Sequence, residues 1–212
     1  MAIVRVRQHV NPLSDKYQQP IALPDWSNLY ENLSLPLHLD IGSARGIFLL
    51  EMAKLQPNWN FLGLEIREPL VEQANQWRDE AGDRNLHYLF CNANYSLGAI
   101  LSSLPAGCLH RVTIQFPDPW FKKRHQKRRV VQPEVVNQIA QYLIPGGMLF
   151  LQSDIRNVAE EMGDRFSEHP AFVKQGEDQW YPTNPLPVST EREKGVLEKG
   201  EPVYRLVFVR SL

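Results

Sequence analysis

The sequence predicts an α/β fold in which a mostly parallel sheet is wound by helices on both faces. Three observations predict it. Short apolar runs alternate with longer runs of helical period from residue 35 onward. The length of 212 residues suits one such domain with some additional segments. The first apolar run ends in a turn containing Gly42 and Gly46, and ligands of doubly wound sheets sit at such strand ends.

The elements follow in order. Residues 1–33 are polar and weakly patterned, an arm leading to a short helix near 26–33. Residues 34–212 form a single domain. Strands are expected at 37–41, 60–65, 86–91, 111–116 and 148–152, because these runs are apolar and bounded by turn residues. Helices are expected at 46–53, 68–81, 97–104, 132–143 and 157–169. Gly82 closes the second helix, and Pro145-Gly146-Gly147 turns into the fifth strand. A short strand is placed at 171–173. A long Pro- and Gly-rich loop covers 176–202, and a final strand covers 202–209.

Composition removes several function classes. No apolar run approaches the ~20 residues a bilayer requires, and residues 1–10 lack the apolar core of a signal peptide, so a cytoplasmic protein is expected. Cys91 and Cys108 make neither a disulfide framework nor a zinc site, and no metal is expected. The net charge is −1, yet residues 122–129 hold six Lys/Arg and no acid. The remainder carries 17 Lys/Arg against 24 Asp/Glu. A concentrated positive spot on an acidic body points to a local anionic partner.

Asp40 and the Gly42-Ser43-Ala44-Arg45-Gly46 turn end the first strand, and Glu65 ends the second. An acid at the second strand's end can accept both hydroxyls of an adenosine ribose. Nicotinamide cofactors use the same layout. The turn is not G-x-G-x-x-G, however, and Asp40 would repel a phosphate while favouring a sulfonium or ammonium. Asn92, after the third strand, can meet an adenine edge or cap the next turn.

The fourth strand ends at Phe116-Pro117-Asp118-Pro119-Trp120-Phe121 and the basic run follows at once. Two prolines stiffen the loop around Asp118, so one carboxylate is held over the strand ends. Lys and Arg meet phosphates, and an extruded base can stack on an aromatic ring. This combination points to RNA.

With Lys122 and Lys127-Arg128-Arg129, the Pro-Asp-Pro-Trp segment resembles the signature of bacterial tRNA (guanine-N(7)-)-methyltransferases. The resemblance covers most of the chain: Asp40-Ile41-Gly42, Gly63-Leu64-Glu65-Ile66, Gln152-Ser153-Asp154 and Thr190-Glu191-Arg192-Glu193-Lys194-Gly195 are similar to further family motifs. The chain departs where the family often has a glycine, at Ala44, and an acid, at Asn92.

The resemblance implies a Rossmann-like class I methyltransferase with an antiparallel C-terminal strand. It implies S-adenosylmethionine as cofactor and a tRNA guanine, in the variable loop, as substrate. Asp40, Gly42, Glu65, Asn92 and Asp118 then line the cofactor site, with Asp118 also the catalytic residue. Lys122, Asp154, Thr190 and Glu193 face the guanosine. Arg124, His125, Lys127, Arg128 and Arg129 meet RNA, and Arg5 and Arg7 of the arm are further candidates. Three structural alternatives stay open: Asp154 as a helix cap, Thr190 and Glu193 as a capping box, and the arm as a disordered tail. A methyltransferase for protein or small molecules, and an RNA-binding module without activity, remain rival functions. Monomer and homodimer are equally open.

Overall fold

A computed structural model describes residues 4, 6 and 10–212. Arg5 and Arg7 lie outside the described residues. The expected alternation is present: β1 (Leu37–Ile41), α1 (Ile47–Leu55), β2 (Asn60–Glu65), α2 (Glu68–Ala81), β3 (Leu86–Phe90), α3 (Ala93–Ser103) and β4 (Leu109–Gln115), then α4 (Pro133–Tyr142), β5 (Met148–Ser153), α5 (Arg156–Ser167), β6 (Phe172–Lys174), α6 (Glu191–Glu198) and β7 (Tyr204–Arg210).

The sheet runs β3-β2-β1-β4-β5-β7-β6. The first five strands pair in parallel, and β7 inserts antiparallel between β5 and β6. Strand order reverses between β1 and β4. The carboxyl ends of those two strands are where Asp40 and Asp118 are carried.

Side-chain alternation sends successive residues to opposite faces and so builds two cores. Leu37, Leu39, Ile41, Leu62, Val112, Ile114, Leu149 and Leu151 pack beneath α3, α4 and α5. Phe61, Phe150 and Val207 face the other way, onto α1 and α2. Tyr88 lies on that second face. A Cβ on Gly63 would come within 2.5 Å of its ring and one on Gly46 within 2.6 Å, so both glycines are required by close approach.

Two expected elements differ. The helix near 26–33 is only a 3₁₀ turn, Trp26–Asn28. Asp25 caps it, Trp26 and Tyr30 bury their rings in the first core, and the Asn32 side chain starts a new turn by accepting from the Ser34 N–H. The long loop contains α6, which the Thr190 cap starts. Among the described residues no helix is long and apolar enough to cross a membrane.

Candidate active site

Asp40 reaches the carboxyl end of β1 only 4% exposed. The Thr113 hydroxyl donates to its Oδ1 at 2.5 Å, and the Gln115 amide donates at 3.3 Å. His38 Nε2 lies 3.0 Å from the Thr113 oxygen. That hydroxyl's proton is used on Asp40, so the imidazole donates, which assigns the Nε2–H tautomer. Burial pushes the Asp40 carboxyl up to about 6; the Thr113 and Gln115 bonds pull it down, and the charge of Glu65 adds to the rise. A carboxylate held this way gains most from a cationic neighbour.

The turn after β1 places backbone beside Glu65. Gly42 and Gly46 take φ of 87° and 77°, and Ala44 takes 49°. The Ala44 N–H, turned inward by this conformation, donates to Glu65 Oε2 at 2.9 Å. Glu65 is 3% exposed.

Two cavities open on this strand edge. The smaller, about 130 Å³, has apolar walls from Ile41, Leu64 and Ile66, with Glu65, Asn92 and Trp120 among its polar and aromatic lining. The larger, about 600 Å³, is bordered by Asp40, the 42–46 turn, Asp154, Thr190 and Arg192. Gly42, Arg67, Phe116, Pro117 and Asp118 border both. Asp118 therefore stands on the wall between the two.

Its loop is held firmly. The Phe116 N–H donates to Gln152 O at 2.8 Å, and the prolines follow. Phe116 and Trp120 have φ of 49° and 43°. With Ala44 they are the three non-glycine residues of positive φ among the described residues, and all three border the cavities. Such backbone strain concentrates where surrounding contacts over-determine a functional geometry.

A buried polar chain runs beneath the cavities. The Gln115 amide donates to Asp40, the Gln152 amide donates to Gln115 Oε1 at 2.8 Å, and the same Gln152 nitrogen lies 3.3 Å from Glu193 Oε2. Glu193, 1% exposed, also accepts from Asn184 at 2.7 Å and from Arg205 at 2.7 Å. Expected to face the guanosine, Glu193 instead faces the interior, because its carboxylate is spent on fastening α6 to β5 and β7. Thr190 caps α6 by accepting from the Glu193 N–H at 3.1 Å and still borders the larger cavity. Asp154 borders it too and pairs with Arg192, while the cap position of α5 falls to Ile155.

One further placement corrects the sequence reading. Arg129, expected at RNA, is 6% exposed. It donates to Pro119 O at 2.8 Å and to Asn157 Oδ1 at 3.0 Å and pairs with Glu161, so it braces the Asp118 loop against α5. Asn92 lines the smaller cavity but caps α3 through Asn94 N and donates to Pro12 O at 2.9 Å. The arm's Val10 and Pro12 complete the cavity wall.

The remaining bases lie outward. Lys122, Lys123, Arg124 and Lys127 are exposed, and Lys122 is not among the residues bordering either cavity. Arg128 stacks over Trp120 at 4.9 Å and reaches the smaller cavity. His125 meets the Trp120 edge. Slight desolvation, then the charges of Arg128, Arg124, Lys122 and Lys127, lower its pKa. Phe121 is 73% exposed at the larger cavity's rim. Sequence reasoning missed Arg67 and the arm's share in the wall. The spacing Glu65-Ile66-Arg67 was the one local signal available.

Comparison with known proteins gives the family and the fold. A family model described as "Putative methyltransferase" matches residues 34–206. The chain is similar to the tRNA (guanine-N(7)-)-methyltransferase of Trichormus variabilis, 62% identical over 210 residues, covering 99% of this chain and 98% of the relative. The enzyme of the same name from Synechocystis is 54% identical over 211 residues, covering 100% of both. Among solved structures, the 16S rRNA methyltransferase KamB superposes with a TM-score of 0.61 at 15% identity, over 91% of this chain and 96% of that one. The aminoglycoside resistance methyltransferase NpmB1 gives 0.56 at 17% identity, over 90% and 95%. These last two speak for the fold alone.

Proposed function

This chain belongs to the tRNA (guanine-N(7)-)-methyltransferase family, and on that premise we propose how its two cavities divide the reaction. The reaction is methyl transfer from S-adenosylmethionine to nitrogen-7 of a guanine in tRNA. The guanine is one in the variable loop. The observation that carries the division of labour is Asp118 on the wall common to both cavities.

The residues fit the cofactor. Buried Asp40 suits a ligand bearing positive charge, Glu65 suits a ribose diol, and Ile41, Leu64 and Ile66 offer an apolar slot for an adenine. The smaller cavity thus takes the adenosine, and the larger, within the usual size of small-molecule sites of roughly 300–1,000 Å³, takes the cofactor's charged end beside Asp40 and the guanine beside Asp154 and Thr190. S-adenosylmethionine brings a methyl group on a cationic sulfur, an electrophile that needs no further activation.

Guanine nitrogen-7 has a free lone pair and no proton, so none of these residues has to act as a base. The purine becomes cationic as it is methylated. Asp118, braced by Pro117 and Pro119, stabilises that developing charge and orients the ring. Asp154 accepts from the guanine's exocyclic amine, and Thr190 fixes the near edge of the pocket. Holding the reacting atoms in line supplies much of the remaining acceleration. Arg124, Lys127 and Arg128, with Lys122 and His125, hold the tRNA backbone beside the pocket.

Incubation with an unmodified tRNA transcript and labelled S-adenosylmethionine, followed by mapping of the labelled nucleotide, tests the reading. A single 7-methylguanosine in the variable loop is expected. Label at another guanine contradicts the site, and label only in protein contradicts the function.

A further inference from the structure

Glu65 accepts four hydrogen bonds. Its Oε1 takes the Arg67 N–H at 2.9 Å and Arg67 Nε at 2.8 Å; its Oε2 takes the Ala44 N–H at 2.9 Å and Arg67 Nη2 at 2.9 Å. A carboxylate has about four lone-pair sites, so this one is full. Two ribose hydroxyls cannot be added until two donors leave. The backbone donors are fixed by the 42–46 turn and the start of α2. The guanidinium sits on a flexible stem, its side chain 23% exposed, and it can leave.

Arg67 borders both cavities, as Asp118 does. Burial opposes the charge on Arg67, but the bond to Glu65, then the charges of Glu65 and Asp118, outweigh it and raise its pKa. A guanidinium displaced from Glu65 therefore has a second carboxylate in its neighbourhood.

We propose that Arg67 is a positioning residue that exchanges partners, clamping Glu65 until a ribose takes its place and then turning to Asp118 to fix that carboxylate toward the purine. The inference rests on the reading of Glu65 and Asp118 given above. One ion pair is traded for another, so the exchange needs little free energy beyond what ribose binding supplies. Arg67 thus competes with the cofactor and yet serves the chemistry. The two roles pull binding and turnover in opposite directions, which a purely structural arginine would not do.

The test is Arg67→Gln, which keeps an amide but loses the charged fork, beside Arg67→Lys. Calorimetry gives the dissociation constant for S-adenosylmethionine, single-turnover assays on tRNA give the rate, and thermal melts report folding. Arg67→Gln is expected to bind the cofactor about 3- to 10-fold tighter, because a competing conformer is removed. It is expected to turn over about 10- to 100-fold more slowly, because Asp118 is misaligned. Arg67→Lys should recover part of the rate. Weaker cofactor binding, or an unchanged rate, overturns the proposal. Should the variants fail to fold, a cofactor-bound structure of the unaltered protein decides: Arg67 on Asp118 supports the exchange, and Arg67 still on Glu65 rejects it. A failure of the unaltered protein to methylate tRNA would overturn the function instead.

Discussion

On the proposed reading, Asp40 makes the cofactor site sensitive to pH. Burial lifts its carboxyl from the ordinary 3.8 to about 6. The ionised form attracts a cationic ligand and the protonated form does not, so affinity falls as pH drops through about 6. Between pH 7 and pH 5 the dissociation constant of S-adenosylmethionine should rise by about 10-fold. Calorimetry at the two values checks this, and Asp40→Asn should bind weakly with a flat profile. Equal affinity at both pH values would remove Asp40 from contact with the ligand's charge. Asp40, Glu65 and Asp118 were legible in the sequence because each sits at a strand end whose position local pattern reveals. The bond from Asn92 to the arm and the burial of Arg129 were not, because the partners are remote. Pro12 lies 80 residues from Asn92, and Asn157 and Glu161 lie 28 and 32 residues from Arg129.

The basic segment divides by direction at the scale of elements. Arg129→Ala removes the brace between the Asp118 loop and α5 and leaves Glu161 with Arg165 alone. It should cost about 3 kcal/mol, lowering the melting temperature by roughly 6–12 °C for a chain of this size, with the salt dependence of tRNA binding unchanged. Arg124→Ala with Lys127→Ala should do the reverse, keeping the melting temperature and reducing the salt slope by about 2. A shallower slope for Arg129→Ala would return that residue to the RNA surface. Helix α6 poses the same question. Its segment reads as a loop from Pro and Gly content, and only the spacing of Thr190 and Glu193 hints at a helix start. Glu193→Gln leaves buried Arg205 facing a neutral amide. A loss of about 3 kcal/mol is expected from denaturant melts, with tRNA turnover falling as Thr190 and Arg192 lose their anchorage. A wild-type melt would show that the buried chain from Asp40 to Arg205 does not hold α6.

At the scale of the molecule, charge and topology converge on one edge. Six bases in residues 122–129 adjoin the switch point, while the rest of the chain is acidic overall. An acidic body repels RNA elsewhere and leaves the cavity rim as the favoured approach. The alternating elements made the parallel sheet legible. The arm's contribution was not, since Val10 and Pro12 carry no pattern that distinguishes a cavity wall from a loose tail. The central claim is that Asp118, between two cavities, stabilises positive charge on the purine. Single-turnover methyl transfer to tRNA by Asp118→Ala tests it most directly. The account predicts a rate reduced on the order of 10²- to 10³-fold with the melting temperature and tRNA affinity retained; a rate near that of the unaltered protein would contradict it.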